Sequence, residues 1–371
     1  MKILVMGGAG DMGSRAVEDL AAAAGVERVT IGDRDLAAAR ELAARLAGSP
    51  AEVAALAVDA LDHRGMVEAM AGQDVVASAL GPFYRFENRL VRAALEADVD
   101  YVSICDDWCA AQDTIIRFDR PARDRGRMVV SGCGASPGVS NMAVRLLAGR
   151  LDHARKADVL VYVPMDSGEG QAVTEHTLFV YGTVVPVFRD GTTVMLPAGS
   201  LSRRVEFPRF GPLRVWNIGH GEPVTLPRHL PELEEVNIML GMGRGTGVVV
   251  ALGRLGLFSS PRRIERMARL AKKFLPSKPG PPSQGAIRVE VSGEKDGRPA
   301  TLMVCGTATM RDATGIALSI GARLLASGRL TVEQGGVYGP EGCFEPADFM
   351  RLLGEGGIPA YSDLAMRERA N

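Results

Sequence analysis

Lys2-Ile3-Leu4-Val5-Met6, running without a break into Gly7-Gly8-Ala9-Gly10-Asp11-Met12-Gly13 and then a helix-forming stretch, decides how this chain folds. A short apolar strand followed by glycines at 8, 10 and 13 is the phosphate-binding fingerprint in its required setting. Gly8 is expected to permit the tight strand-to-helix turn, Gly10 to let the backbone approach a pyrophosphate, and Gly13 to let the helix pack close on the strand. The backbone N–H groups of Ala9, Asp11 and Met12 then lie at the positive end of that helix, facing the phosphates. A second strand, Val29-Thr30-Ile31-Gly32, ends in Asp33, about 20 residues beyond the last glycine. An acid there accepts hydrogen bonds from a ribose 2′-hydroxyl and repels a 2′-phosphate, so NAD is the expected cofactor. Arg34, next in the chain, keeps NADP open.

Outward from this stretch, strand and helix alternate to about Ser136. Further strands are expected at 53–58, 74–80, 101–104 and 127–131, with helices at 35–47, from Asp62 and at 87–97. Six strands in this order fit two mononucleotide-binding halves of a Rossmann-type, doubly wound parallel sheet. Beyond Gly138, alternating and aromatic-bearing runs at 158–163, 194–197, 213–218, 286–292 and 300–307 point to an antiparallel sheet. Lys295-Asp296-Gly297 reads as the turn of a hairpin between the last two. The expected class is α/β: a dinucleotide-binding domain over 1–136, an α+β substrate and dimerisation domain over 137–310, and 311–371 packing back on the first. The proline-rich stretch 278–283 reads as a loop and 313–326 as a last helix.

The balance of 43 basic and 44 acidic residues excludes a polyanion as the main partner, so no nucleic acid is expected. No apolar run reaches membrane-spanning length, since 248–258 is interrupted by Arg254. Cysteines 105, 109, 133, 305 and 343 are odd in number and lack paired ligand spacing; reduced thiols, a cytoplasmic compartment and no metal site are expected. A first strand beginning at Lys2 leaves no room for a signal peptide.

Several blocks resemble the saccharopine dehydrogenase-like oxidoreductases, and within them the lysine 6-dehydrogenase pattern. They are Gly81-Pro82-Phe83-Tyr84, Tyr101-Val102-Ser103-Ile104-Cys105-Asp106-Asp107, the stretch 134–142, Gly219-His220-Gly221-Glu222-Pro223-Val224-Thr225-Leu226-Pro227-Arg228, Ala313-Thr314-Gly315 and 336–341. The resemblance implies an NAD(P)-dependent enzyme that oxidises an amino acid or amine at a C–N bond or reduces the imine, with a substrate domain inserted after the nucleotide domain. Two departures stand out. Relatives often carry an acid where this chain has Ser103, its carboxylates being shifted to Asp106 and Asp107; and the stretch 166–176 lacks the tryptophan-serine start of many relatives.

Hydride transfer asks the protein for orientation, exclusion of water and a group that manages the amine proton. Ser78, Ala79, Leu80, Gly81 and Pro82, ending the fourth strand, are placed to line the nicotinamide ribose. Asp106 and Asp107, ending the fifth, are either proton carriers or, for one of them, the cap of a helix starting near Trp108. His220 and Glu222 are the leading proton-handling pair, with Arg228 as a carboxylate clamp and Thr225, Tyr84 and Asn141 as further substrate contacts; the competing reading is a strand with alternate exposed polar groups. Glu175 and His176 are weaker candidates for the same chemistry, because residues of these types are common on helix surfaces. Glycines 241, 243, 245 and 247 lack a βαβ setting and a ribose acid, and the basic segment 261–273 reads as a domain-edge or dimer helix, in keeping with a homodimer. Two other functions stay open: a lyase or synthase of the homospermidine synthase type that uses NAD transiently, and a non-catalytic dinucleotide sensor.

Overall fold

The computed structural model describes residues 1–164, 171–182, 184–243, 245–274 and 283–370. Two compact units divide the chain: Met1–Met142 with Arg311–Gly357, and Ala143–Met310 with Ile358–Asn371.

In the first unit the chain runs β1 (Lys2–Met6), α1 (Asp11–Ala22), β2 (Arg28–Asp33), α2 (Leu36–Arg45), β3 (Glu52–Ala57), α3 (His63–Met70), β4 (Val75–Ser78), α4 (Phe83–Glu96), β5 (Asp100–Ser103), α5 (Trp108–Arg125) and β6 (Met128–Val130). The helix α6 (Val139–Ala148) leads into the second unit. Side-chain caps set two helix starts: Asp35 accepts the Ala38 N–H at 3.0 Å, and Asp62 accepts the Gly65 N–H at 3.1 Å. The sheet is parallel throughout, and β1 sits between β2 and β4, which makes the β1/β4 boundary the topological switch point. Because helices cover both faces, β1 and β4 are buried as continuous runs rather than alternately. The core packs Leu4, Met6 and Val76 of the sheet against Met66, Leu90 and Phe118 of the helices.

The second unit contains β7 (His153–Tyr162), α7 (Gln171–Val180), β8 (Val184–Arg189), β9 (Thr192–Pro197), β10 (Ser202–Phe207), β11 (Gly211–Asn217), α8 (Glu222–His229), β12 (Glu235–Gly241), α9 (Thr246–Arg254), α10 (Pro261–Phe274), β13 (Gln284–Lys295) and β14 (Arg298–Thr309). Its sheet is mixed, in the order β10-β11-β12-β7-β13-β14 with β8 and β9 attached at β12. The expected antiparallel pairing holds except between β7 and β12, which run parallel. Asp296 and Gly297 both have positive φ, 52° and 68°, as a two-residue hairpin turn requires. Arg203 of β10 reaches Asp158 of β7 (3.0 Å) and Glu290 of β13 (2.7 Å), so the sheet curls over a core of Leu160, Phe207, Val215 and Met239.

Three elements of the first unit follow in α11 (Met310–Ala326), β15 (Gly336–Tyr338) and α12 (Pro346–Glu355). β15 pairs with β6 and adds a seventh parallel strand that the glycine-punctuated sequence does not announce. The expectation that all of 311–371 joins the first unit needs correction at the end: 358–371 belongs to the second. Tyr361 exchanges both backbone hydrogen bonds with Cys305 at 2.8 Å, and Arg150 donates to the Ala370 carbonyl at 2.7 Å. The glycines at 241, 243, 245 and 247 run from the end of β12 into the first turn of α9, but β13, which follows the helices, is antiparallel to β7 and hence to β12, so these elements form no βαβ unit. Most of the proline-rich loop, 278–282, and the start of the 166–176 stretch, 166–170, lie outside the described residues.

Candidate active site

The glycine loop is built almost wholly from backbone. Gly7 carries the left-handed conformation, φ +71°, so the turn is made one residue before the expected Gly8. A side chain at Gly8 would meet the Val5 carbonyl at 2.8 Å, and one at Gly13 would overlap the Gly7 carbonyl at 2.1 Å. Gly10 differs: it is exposed, and a Cβ there meets only the Gly7 oxygen at 3.2 Å. The fold itself therefore forbids side chains at 8 and 13, whereas the space beside Gly10 is left for a ligand at the N-terminus of α1. That cradle fits a pyrophosphate.

The Asp33 carboxylate closes the loop from β2, accepting the Ala9 N–H at 3.1 Å and the Asp35 N–H at 3.0 Å. Arg34 beside it is exposed. Asp11, first in α1, is ion-paired with Arg311 of α11 at 3.5 Å, and Met12 packs where Gly315 allows α11 to approach. Across the switch point, the Ala79 N–H donates to the Met6 carbonyl at 2.9 Å, and Leu80 passes so close that a Cβ on Gly7 would sit 3.1 Å from its Cα. Leu80, Gly81 and Pro82 are half-buried beside the loop, while Ser78 is buried below them and accepts the Leu80 N–H at 3.3 Å. Asn141 is buried on α6, accepting from the Ser140 hydroxyl at 3.2 Å.

The two carboxylates after β5 have separate roles. Asp107 stands at the start of α5 but makes no side-chain cap there; its buried carboxylate instead accepts the Tyr84 N–H of α4 at 2.8 Å. It therefore anchors the first turn of a different helix from the one expected, and Tyr84 contributes its backbone to that anchor. Asp106 is half-buried beside it.

A residue passed over in the sequence lies beneath them. Glu87 of α4 is fully buried and accepts from Ser103 (2.5 Å), Tyr101 (2.9 Å) and Ser131 (3.2 Å). Burial pushes its carboxyl up to about 7, against the three hydroxyls that pull it down and with Asp107 adding to the rise. The available signal was periodicity: Phe83, Glu87, Leu90, Val91 and Ala94 form the buried stripe of α4, and an acid in such a stripe must have partners.

In the second unit His220 and Glu222 are both buried, and His220 Nδ1 lies 2.7 Å from Glu222 Oε2. The segment is not an alternating strand: Glu222 opens α8, with Thr225 and Leu226 buried one turn on. Arg228, in the last turn of that helix, is exposed. The Gly219 N–H donates to the Val180 carbonyl at 3.0 Å, joining this segment to the end of α7. Consequently His176 lies edge-on to His220, with ring centroids 5.8 Å apart, and Glu175 is buried; neither is a plain helix-surface residue.

Residues 3–130 match the saccharopine dehydrogenase NADP binding domain. Over 96% of both chains, the sequence is 24% identical to carboxyaminopropylagmatine dehydrogenase of Synechocystis sp.. It is 28% identical to a putative trans-acting enoyl reductase of Mycobacterium tuberculosis over 42% of this chain and 36% of that one. Among solved structures, saccharopine dehydrogenase (L-Glu forming) from Saccharomyces cerevisiae superposes with a TM-score of 0.69 at 16% identity, covering 96% of this chain and 98% of that one. No helix among the described residues is long and apolar enough to cross a membrane. Residues 3–130, in the first unit, thus match a saccharopine dehydrogenase NADP binding domain, and the fold is similar to that of saccharopine dehydrogenase.

Proposed function

We propose that the protein is an NAD(P)-dependent oxidoreductase acting on the C–N bond of an amino acid or related amine, with His220 handling the substrate proton. The buried His220–Glu222 pair, in a chain whose first unit is a dinucleotide fold, is the observation that carries this reading. The names of the relatives, carboxyaminopropylagmatine dehydrogenase and saccharopine dehydrogenase, support an amine or amino-acid substrate.

The α1 N-terminus with the N–H groups of Ala9, Gly10, Asp11 and Met12 would hold the pyrophosphate, Asp33 the adenosine ribose, and 78–82 the nicotinamide ribose. Bound NAD(P)+ supplies the two-electron acceptor for a hydride leaving the carbon that bears nitrogen. Glu222 accepts the Nδ1–H of His220, which fixes the tautomer with a lone pair on Nε2. Nε2 takes a proton from the substrate ammonium, and the imidazolium so formed is stabilised by the Glu222 carboxylate. In imine reduction the same atom returns the proton. Thr225, on the Glu222 face of α8, and Asn141 are substrate contacts in this scheme; Arg228 acts from the exposed face. Of the acidic pair after β5, Asp106 is the one with a proton-handling role, because Asp107 is committed to the Tyr84 N–H.

The Asp33 carboxylate supports NAD over NADP, although the matching domain is described as NADP-binding. A homodimer in a reducing compartment completes the reading, supported by five free cysteines and near-neutral charge. Incubation with NAD and a panel of amino acids and amines is expected to give net reduced cofactor, with NAD bound at least ~10-fold more tightly than NADP, about 1.4 kcal/mol. Tight binding without net reduction would replace this reading by transient cofactor use or sensing.

A further inference from the structure

Glu87 gathers three hydroxyls within the first unit and roots a hydrogen-bond chain. The chain runs from its Oε1 through the Ser103 hydroxyl to the backbone N–H of Cys105, which Ser103 Oγ accepts at 3.4 Å. Its Oε2 accepts from the Tyr101 hydroxyl at 2.9 Å. Ser103 ends β5 and holds the N–H two residues on, and so fixes the first bend of the loop that follows. Ser131 ties β6 into the same carboxyl. The loop so fixed, after β5, lies at the carboxyl end of the sheet, where this fold takes its ligand.

We propose that Glu87 is a positioning residue for the dinucleotide, setting the β5–α5 loop through Ser103. The inference rests on the nucleotide reading of the first unit. An ionised carboxyl accepts from all three hydroxyls, so all of them point one way. A protonated carboxyl has one donor of its own, and one of these bonds must then reverse or break. Since burial brings this group to about 7, the loop passes between the two arrangements near neutral pH. The titratable and charged groups facing it are Tyr101 and Cys105 from β5 and its loop, and Asp107, which opposes ionisation. The pairs on α4 from neighbouring helices lie elsewhere: Asp113 of α5 on Asn88, and His63 of α3 on Glu96.

The test compares wild type with Glu87→Gln and Ser103→Ala, reading NADH affinity and amide-exchange protection at 79–82 and 104–107 from about pH 6 to about pH 8.5. For wild type, affinity is expected to fall ~5–10-fold on acidification with a midpoint near 7, and protection at 104–107 to fall with it while 79–82 stays unchanged. Glu87→Gln should hold the weak affinity at every pH. Ser103→Ala should lose protection after β5 and keep it after β4, which keeps the test decisive even where one variant folds poorly. A wild-type profile in Glu87→Gln, or protection after β5 unchanged in Ser103→Ala, would overturn the proposal. Exchange is read without cofactor, so a failure of the nucleotide reading itself shows separately, as absent NADH binding with the loop pattern intact.

Discussion

The glycine loop of the first unit and the His220 segment of the second solve opposite problems. Around Gly7 to Gly13 the working groups are backbone N–H groups, and every side chain that would obstruct them is missing. Around His220 the working groups are side chains, and burial fixes each against a partner: Nδ1 on Glu222, the ring beside His176, the backbone before it on Val180. A site made of backbone is written in consecutive residues. A site made of buried side chains is completed only by the packing of distant segments.

The comparison can be broken first at the glycines. Gly10→Val should remove measurable cofactor binding, a loss of ~10³-fold or more by titration, while the circular dichroism and melting of the protein stay near wild type, because only ligand space is filled. Gly13→Val should instead fail to fold, since its Cβ would overlap the Gly7 carbonyl. If both variants unfold, Gly10 is a packing glycine and the backbone half of the comparison falls.

His220→Ala probes the other half. Its turnover should drop ~10²-fold or more, while cofactor affinity is unchanged. Glu87 sharpens the contrast from the side of stability. Its carboxyl titrates near 7 when folded against about 4.5 when unfolded, so the folded state binds the proton more tightly. The stabilising contribution is therefore full below about pH 4.5 and is lost as pH rises through about 7, a change of ~3 kcal/mol. Denaturant titrations of wild type and Glu87→Gln at about pH 5 and about pH 8 should diverge by that order, the variant being the less sensitive to pH. Equal pH dependence in both would show that the buried carboxyl does not titrate there.

Arg228→Lys carries the smallest expected effect. An ammonium cannot reproduce a planar fork on a substrate carboxylate, yet the side chain is exposed and off the Glu222 face, so KM should rise only ~3–10-fold with kcat unchanged. A larger fall in kcat would place Arg228 with the proton-handling residues after all.

What could be read in advance follows the same division. The strand order of the first unit follows from local periodicity and from Asp33 at the end of β2, both properties of contiguous sequence. The hairpin at Asp296-Gly297 was legible for the same reason; Asp190-Gly191, with φ of 49° and 70°, carries the same signal between β8 and β9 and was passed over. The pairing of β15 with β6 depends on a strand of only three residues, too short for a period-two pattern to register. His220 and Glu222 could be singled out by type and spacing. His176 and Glu175 stood out less, because residues of these types are common on helix surfaces; the joining of Gly219 to Val180 is what brings their helix to the His220 segment. Asp107 shows the limit most plainly: it occupies a cap position in sequence, yet spends its carboxylate on a helix 23 residues away.

The most direct test of the account is to follow the hydride itself. NADH deuterated at the nicotinamide C4 should be consumed with an imine formed from an amino acid or amine. The product should carry one deuterium on the carbon bonded to nitrogen, as seen by mass spectrometry, and the transfer should be slowed strongly in His220→Ala but not in Arg228→Lys. A chain that binds NADH tightly yet leaves it unoxidised, with no deuterium in any amine product, would contradict the account.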